Sequence, residues 1–416
     1  MNNFGSIAIY LSKGSFVPGK QVDGIIALNL VQPLPQGGQV LLTIRGLEEN
    51  MLVHRYTVRR TSGTGKNRRT RTVTKYTNIP GNHVFFNHAF PVYNGGGGFL
   101  SPGQYSFPFN FILMANLPST FNHTFKMHSR DSFARVNYTL MATAVAPGYP
   151  QPLLATAQPM MVNQAAIVNS GMKQATITKE ISSCCCSKGT LSMATYFEKS
   201  EYFPAETAYM IAEINNSNCK ADIKTIKGRL VQSIKLTAQG KSGLCETTIQ
   251  MQELAGLVSG DSKMGPNALR LQLPLKNMNG MGVQPTCRGT TVVNEYILLC
   301  EVEMDTCNCG DPNPNISLTL NVRNPEPEDF RPAPTNWNGQ MMSPYTANFD
   351  AVPLQPIPLL PPAPTVKMDG DDDDDGDGDD EEVENAMTPS PMHIKQAAPN
   401  NGGQMNNGVQ VFPQRP

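Results

Sequence analysis

No apolar run in this 416-residue chain approaches the roughly 18 residues that a membrane-spanning helix needs. Met1 to Tyr10 shows no basic segment followed by an apolar core, so no secretory leader is expected. Nothing long repeats at helical spacing, which argues against an α-helical architecture. Charge is scarce: 16% of residues are Asp, Glu, Lys or Arg, a content that suits β-rich material with many uncharged polar positions. Catalytic signatures are missing too. There is no Gly-x-Ser-x-Gly, and no paired carboxylates stand in a structured setting. Gly240-Lys-Ser242 resembles the end of a phosphate loop, but Lys235 stands where the opening glycine should be, and no strand–loop–helix pattern surrounds it. Neither an enzyme nor a cofactor is expected.

What the chain does contain is a repeat. Lys13-Gly-Ser-Phe-Val-Pro-Gly-Lys-Gln-Val-Asp-Gly-Ile-Ile-Ala-Leu-Asn29 returns as Lys199-Ser-Glu-Tyr-Phe-Pro-Ala-Glu-Thr-Ala-Tyr-Met-Ile-Ala-Glu-Ile-Asn215, with aromatic, proline and terminal Asn in register. A second phrase follows each copy, at Val40–Gly46 and Ile223–Gly228. So long a period suits a whole domain used twice. Apolar/polar alternation with Gly and Pro between runs predicts strands, clearest at Tyr105-Ser-Phe-Pro-Phe-Asn-Phe111, where the four aromatics share one face. The expected fold is all-β: two tandem Ig-like antiparallel β-sandwiches over residues 1–165 and 170–323. Residues 324–416 hold 16 of the 34 prolines and a block of twelve acids between Asp369 and Glu384, and are expected to form a disordered Pro-rich and acidic tail.

The phrases Phe16-Val-Pro-Gly…Ile-Ala-Leu-Asn29, Leu42-Thr-Ile-Arg-Gly-Leu-Glu48 and Tyr105-Ser-Phe-Pro-Phe-Asn-Phe…Leu-Pro118-Ser-Thr-Phe121 come in an order that resembles the α-arrestins, the arrestin-domain-containing proteins. Cys184-Cys-Cys-Ser-Lys-Gly189, Tyr202-Phe-Pro-Ala-Glu206 and Glu213-Ile-Asn-Asn-Ser217 extend the resemblance into the second half. It implies arrestin-type sandwiches, no catalytic centre, and a cytoplasmic adaptor peripheral to the plasma membrane or endosomes. The implied partners are the cytoplasmic tails of membrane proteins and sorting or ubiquitin machinery. This tail has no Pro-Pro-x-Tyr motif, so nothing in it assigns a ubiquitin ligase.

Charge is divided along the chain. Residues 1–323 hold 29 Lys+Arg against 18 Asp+Glu, and residues 324–416 hold 4 against 16. The basic excess peaks at Arg55, Arg59, Arg60, Lys66, Arg68, Arg69, Arg71 and Lys75, with no acid among them. Alternation on both sides of Ser62-Gly-Thr-Gly65 suggests a projecting hairpin or loop. Clustered guanidiniums grip phosphate, so the stretch is a candidate site for anionic lipid or phosphorylated cargo. Sparse aromatics and no base-reading motif speak against nucleic acid. The acidic block is a solubilising tail or an internal pseudo-ligand for that hairpin. A polyproline segment carrying Pro353, Pro356, Pro358, Pro361, Pro362 and Pro364 is a candidate partner site or a stiff spacer. Thr388 and Ser390, each before a proline, are candidate phosphorylation sites. The nine cysteines suit a reduced chain better than a disulfide framework. Cys184, Cys185 and Cys186 are too close together for a good zinc set; they are structural and inert, or candidates for lipidation, and no metal is expected.

Overall fold

The computed structural model describes residues 4–347 except 63–67, 165–173, 184–185, 200, 278, 307–312, 326, 328–329, 331 and 335–336. Within them the chain forms four sheets around two hydrophobic cores. In the first lobe one sheet joins β1 (Gly5–Leu11), β3 (Gln21–Leu30) and β6 (Gly103–Ile112) in that order. The facing sheet contains β2 (Ser15–Phe16), β4 (Gln39–Ser62), β5 (Arg69–Asn94), β7 (Phe121–Met127), β8 (Arg130–Val145) and β9 (Leu154–Val162). It is ordered β2-β9-β8-β4-β5, with β7 also on β8. The alternation behind the β6 expectation holds: Tyr105, Phe107, Phe109 and Phe111 all face the core. They meet Val40, Leu42 and Ile44 of β4 and Tyr138 of β8 in one cluster. Each such burial contributes about 1.5–3 kcal/mol. Tyr138 removes its polar cost by donating to the Pro118 carbonyl at 2.6 Å.

The second lobe repeats the plan. One sheet holds β10 (Gln174–Ser183), β11 (Cys186–Phe197), β12 (Thr207–Asn215), β15 (Ser262–Lys263) and β16 (Leu269–Pro274). The other holds β13 (Ile223–Ala238), β14 (Lys241–Ala255), β17 (Cys287–Arg288), β18 (Val292–Met304) and β19 (Asn315–Leu320). Every second residue of β18, from Val292 to Met304, is buried. Burial among apolar neighbours pushes the Cys300 thiol up to about 12. The repeat reaches the backbone. Gly5 (φ 129°) and Gly189 (φ 111°) each lie against a neighbouring carbonyl, of Asn29 and Asn218, where a Cβ would collide.

The lobes are joined by a buried polar latch. Glu48 of β4, almost fully buried, accepts hydrogen bonds from the backbone N–H groups of Thr290 (2.9 Å), Thr291 and Val292 (3.1 Å). The Thr291 hydroxyl adds a fourth at 2.6 Å. Asn50 donates to the carbonyls of Thr237 and Thr291. Ile234, Leu236, Cys287 and Val292 of the second lobe complete the first lobe's core.

Two sequence expectations need correction. First, alternation in the sequence predicts short strands at Val40–Ile44 and Val84–Phe90; in the structure these runs are parts of β4 and β5, 24 and 26 residues long. Second, the expected disordered tail from 324 does not hold as far as 347. Asn324 exchanges hydrogen bonds with Asn163, Trp337 donates to Ser106 Oγ at 2.9 Å, and Tyr345 stacks on Phe90. The short strands β20 (Gln340–Met341) and β21 (Tyr345–Ala347) add in parallel to the edge of β6. A few anchoring side chains tie this segment down despite its proline and asparagine content. The polyproline segment, Thr388, Ser390 and the acidic block lie outside the described residues.

Candidate anion-binding ribbon

The ladder between β4 and β8 ends at Asn50, opposite Ala134. Past that point β4 and β5 pair only with each other, in unbroken register to Ser62 and Arg69. Leu52, Val53 and Ile79 are still buried, and Gln239 of the β13–β14 turn donates to the Pro80 carbonyl, so the base is held by the second lobe. Beyond it the hydrophobic alternation stops and Thr, Arg and Lys take over. The basic stretch is therefore a two-stranded ribbon without a core of its own.

Strand geometry divides the eight cations. Side chains opposite each other on an antiparallel pair share a face, and neighbours along the strand alternate. The register pairs Arg60 with Arg71, and Tyr56 with Lys75, on one face. Arg55, opposite Tyr76, and Arg59, opposite Thr72, lie on the other. Arg69 is the register partner of Ser62, Arg68 is exposed just before β5, and Lys66 lies outside the described residues. A single patch of eight is thus not what forms; each face presents a few cations. No acid among the described residues pairs with any ribbon arginine.

The second face gains residues that the sequence reading missed. Arg130 lies with its guanidinium 5.3 Å from the Tyr76 ring centroid, and the His128 ring is 5.6 Å away. His128 lies in the β7–β8 turn and Arg130 opens β8; the turn's central residues His128 and Ser129 take positive φ, 52° and 66°, as two-residue hairpin turns demand. Arg130 stacked on Tyr76, the register partner of Arg55, contributes about 0.5–1 kcal/mol and adds a cation to that face. Fifty-five residues separate Arg130 from Lys75 at the end of the basic stretch, so charge clustering along the chain carried no signal for it. Of His83, His88, His123 and His128, only His128 sits in a turn and is exposed. Burial lowers the readiness of His88 and His123 to take a proton.

Among the described residues no group of three or more His, Cys, Asp or Glu is placed to hold a metal. None of their helices is long and apolar enough to cross a membrane. Cys186 is exposed at the start of β11, while Cys184 and Cys185 lie outside the described residues. The geometry is that of a β-sheet platform presenting a cationic ribbon.

Comparison with known proteins shows what this chain is similar to. Residues 187–324 match the family "Arrestin (or S-antigen), C-terminal domain". The chain is 30% identical over 214 residues to Arrestin domain-containing protein A of Dictyostelium discoideum, covering 51% of this chain and 35% of that protein. It is 29% identical over 149 residues to Arrestin domain-containing protein 5 of Bos taurus, covering 36% of this chain and 42% of that protein. The chain thus spans less than half the length of either relative. These matches support membership of the arrestin family without singling out its α branch.

Proposed function

We propose that this protein is a non-enzymatic adaptor of the α-arrestin type, its two lobes acting as tandem Ig-like sandwiches. It binds the cytoplasmic parts of membrane proteins and directs their endocytosis or intracellular sorting, working at the cytoplasmic face of the plasma membrane or endosomes. The ribbon meets phosphate on lipid or on cargo, and the proline-rich segment past residue 350 recruits sorting machinery. One observation carries this reading: the described arginines of a projecting ribbon have no carboxylate partner among the described residues, which leaves their charge open to an anion.

A two-stranded ribbon also fits the major groove of duplex DNA, so the test needs an arm for it. The full chain is mixed at moderate salt with neutral vesicles, phosphoinositide vesicles, a phosphorylated peptide and a DNA duplex. The adaptor reading expects phosphoinositide vesicles or phosphopeptide to bind at least about tenfold better than the neutral or unphosphorylated control. No binding to any phosphate probe, or a preference for the duplex, would contradict it.

A further inference from the structure

The ribbon carries hydroxyls as well as guanidiniums. Thr57, Thr61, Ser62, Thr70, Thr72 and Thr74 all lie on it, and only Ser62 has an arginine both three and two residues before it, at Arg59 and Arg60. Ser62 is exposed and forms the last registered pair of the ribbon, opposite Arg69. Its neighbour Thr61 instead shares a hydrogen bond with Thr70 across the strands, 3.2 Å between hydroxyl oxygens.

We propose that Ser62 is a phosphorylation site for a serine/threonine kinase that selects arginine at the second and third positions before the acceptor. Such a kinase reads an extended chain through its own carboxylates, and β4 presents Arg59-Arg60-Thr61-Ser62 extended. Strand alternation sends Arg59 to one face and Arg60 to the other. A kinase must therefore reach the strand from both sides, which a ribbon beyond the sheet allows and a strand within a lobe does not. Both arginines are exposed and no acid among the described residues holds them, so no ion pair within the described structure has to break first. In the reaction the Ser62 hydroxyl oxygen attacks the γ-phosphorus of magnesium-bound ATP. The bond from that phosphorus to the β–γ bridging oxygen breaks, ADP leaves, and the hydroxyl proton passes to the kinase's base.

The consequence follows from the faces. Ser62 shares its face with Arg60, and through the register with Arg71. A phosphate there brings about −1.5 to −2 charges to a face that has only cations, and gives those arginines an internal partner. Phosphorylation then turns the ribbon from an open anion site into a self-satisfied one. That consequence rests on the anion-binding reading above; the acceptor site itself does not.

The test uses the full chain, MgATP and the catalytic subunit of cyclic-AMP-dependent protein kinase, an enzyme with this arginine preference. Mass spectrometry should place the phosphate on Ser62, and both Ser62→Ala and the pair Arg59→Gln/Arg60→Gln should cut incorporation about tenfold. Phosphate on Thr61, Thr70 or Thr72 instead, or incorporation indifferent to Arg59 and Arg60, overturns the assignment. In a second arm, protein phosphorylated on Ser62 should bind phosphoinositide vesicles about tenfold more weakly than unmodified protein. Equal binding overturns the switch. If unmodified protein ignores every phosphate probe while Ser62 is still modified, the acceptor site stands and the anion-binding role falls.

Discussion

The arginines of the two lobes live under opposite rules. In the second lobe all four described arginines hold a carboxylate: Arg229 with Glu301, Arg270 with Glu198, Arg288 with Glu295 and Arg323 with Glu201. In the first lobe no described arginine does. Composition sets the contrast. Residues 1–165 hold 14 Lys+Arg but only four acids, Asp23, Glu48, Glu49 and Asp131. Three of these four are already engaged, Asp23 by Gln21, Asp131 by Lys126 and Glu48 by the latch. Charge that is satisfied inside a molecule supports its structure; charge left open is addressed to something else.

That contrast can be broken from either side. The largest effect should come from the most fully satisfied acid. Glu48→Ala strands three backbone N–H groups and a hydroxyl between the lobes, and should cost about 3 kcal/mol in the denaturant midpoint. A loss under about 0.5 kcal/mol would mean that the latch is solvated. Next, giving the ribbon its own acids should silence it. Thr72→Glu with Thr74→Glu sets carboxylates opposite Arg59 and next to Arg55, and should weaken phosphoinositide binding about tenfold with stability hardly changed. A smaller change is expected in the second lobe. Arg288→Met removes a half-buried pair with Glu295 and should cost up to about 1 kcal/mol, leaving vesicle binding as it was.

The smallest effect concerns pH. Desolvation holds His123 below its ordinary 6.5, so the unfolded chain takes up the proton first. Stability from this residue is complete above 6.5 and is lost as pH falls through the depressed folded value. His123→Phe should therefore make the fall in melting temperature between about pH 7 and 5 shallower. An unchanged slope would assign that fall to other groups.

Much of this fold was legible because burial writes itself into alternation. Tyr105 to Phe111 announced β6, and its four aromatics all face the core. The hairpin was legible too, from Arg55 to Lys75, but its two faces were not. Assigning Arg60 and Arg71 to one side and Arg55 and Arg59 to the other needs the register. Contacts made across long stretches of chain left no local mark. Glu48 finds its donors more than 240 residues away, and Arg130 reaches Tyr76 from a different hairpin. The segment at Trp337 to Tyr345 was misread for the same reason: its composition reads as tail, and only its contacts with Ser106 and Phe90 make it structure.

The central claim is that position, and not net charge, makes the ribbon an anion site. Two variants of equal charge decide it. One carries Arg55, Arg59, Arg60, Arg68 and Arg71 as Gln; the other carries the exposed Lys13, Lys20, Lys220, Lys235 and Lys276 as Gln. Their affinities for phosphoinositide vesicles are measured against the unaltered chain. The account predicts a loss of about a hundredfold for the ribbon variant and under about threefold for the other. Equal losses would contradict it, and would reduce the ribbon to one part of a generally basic lobe.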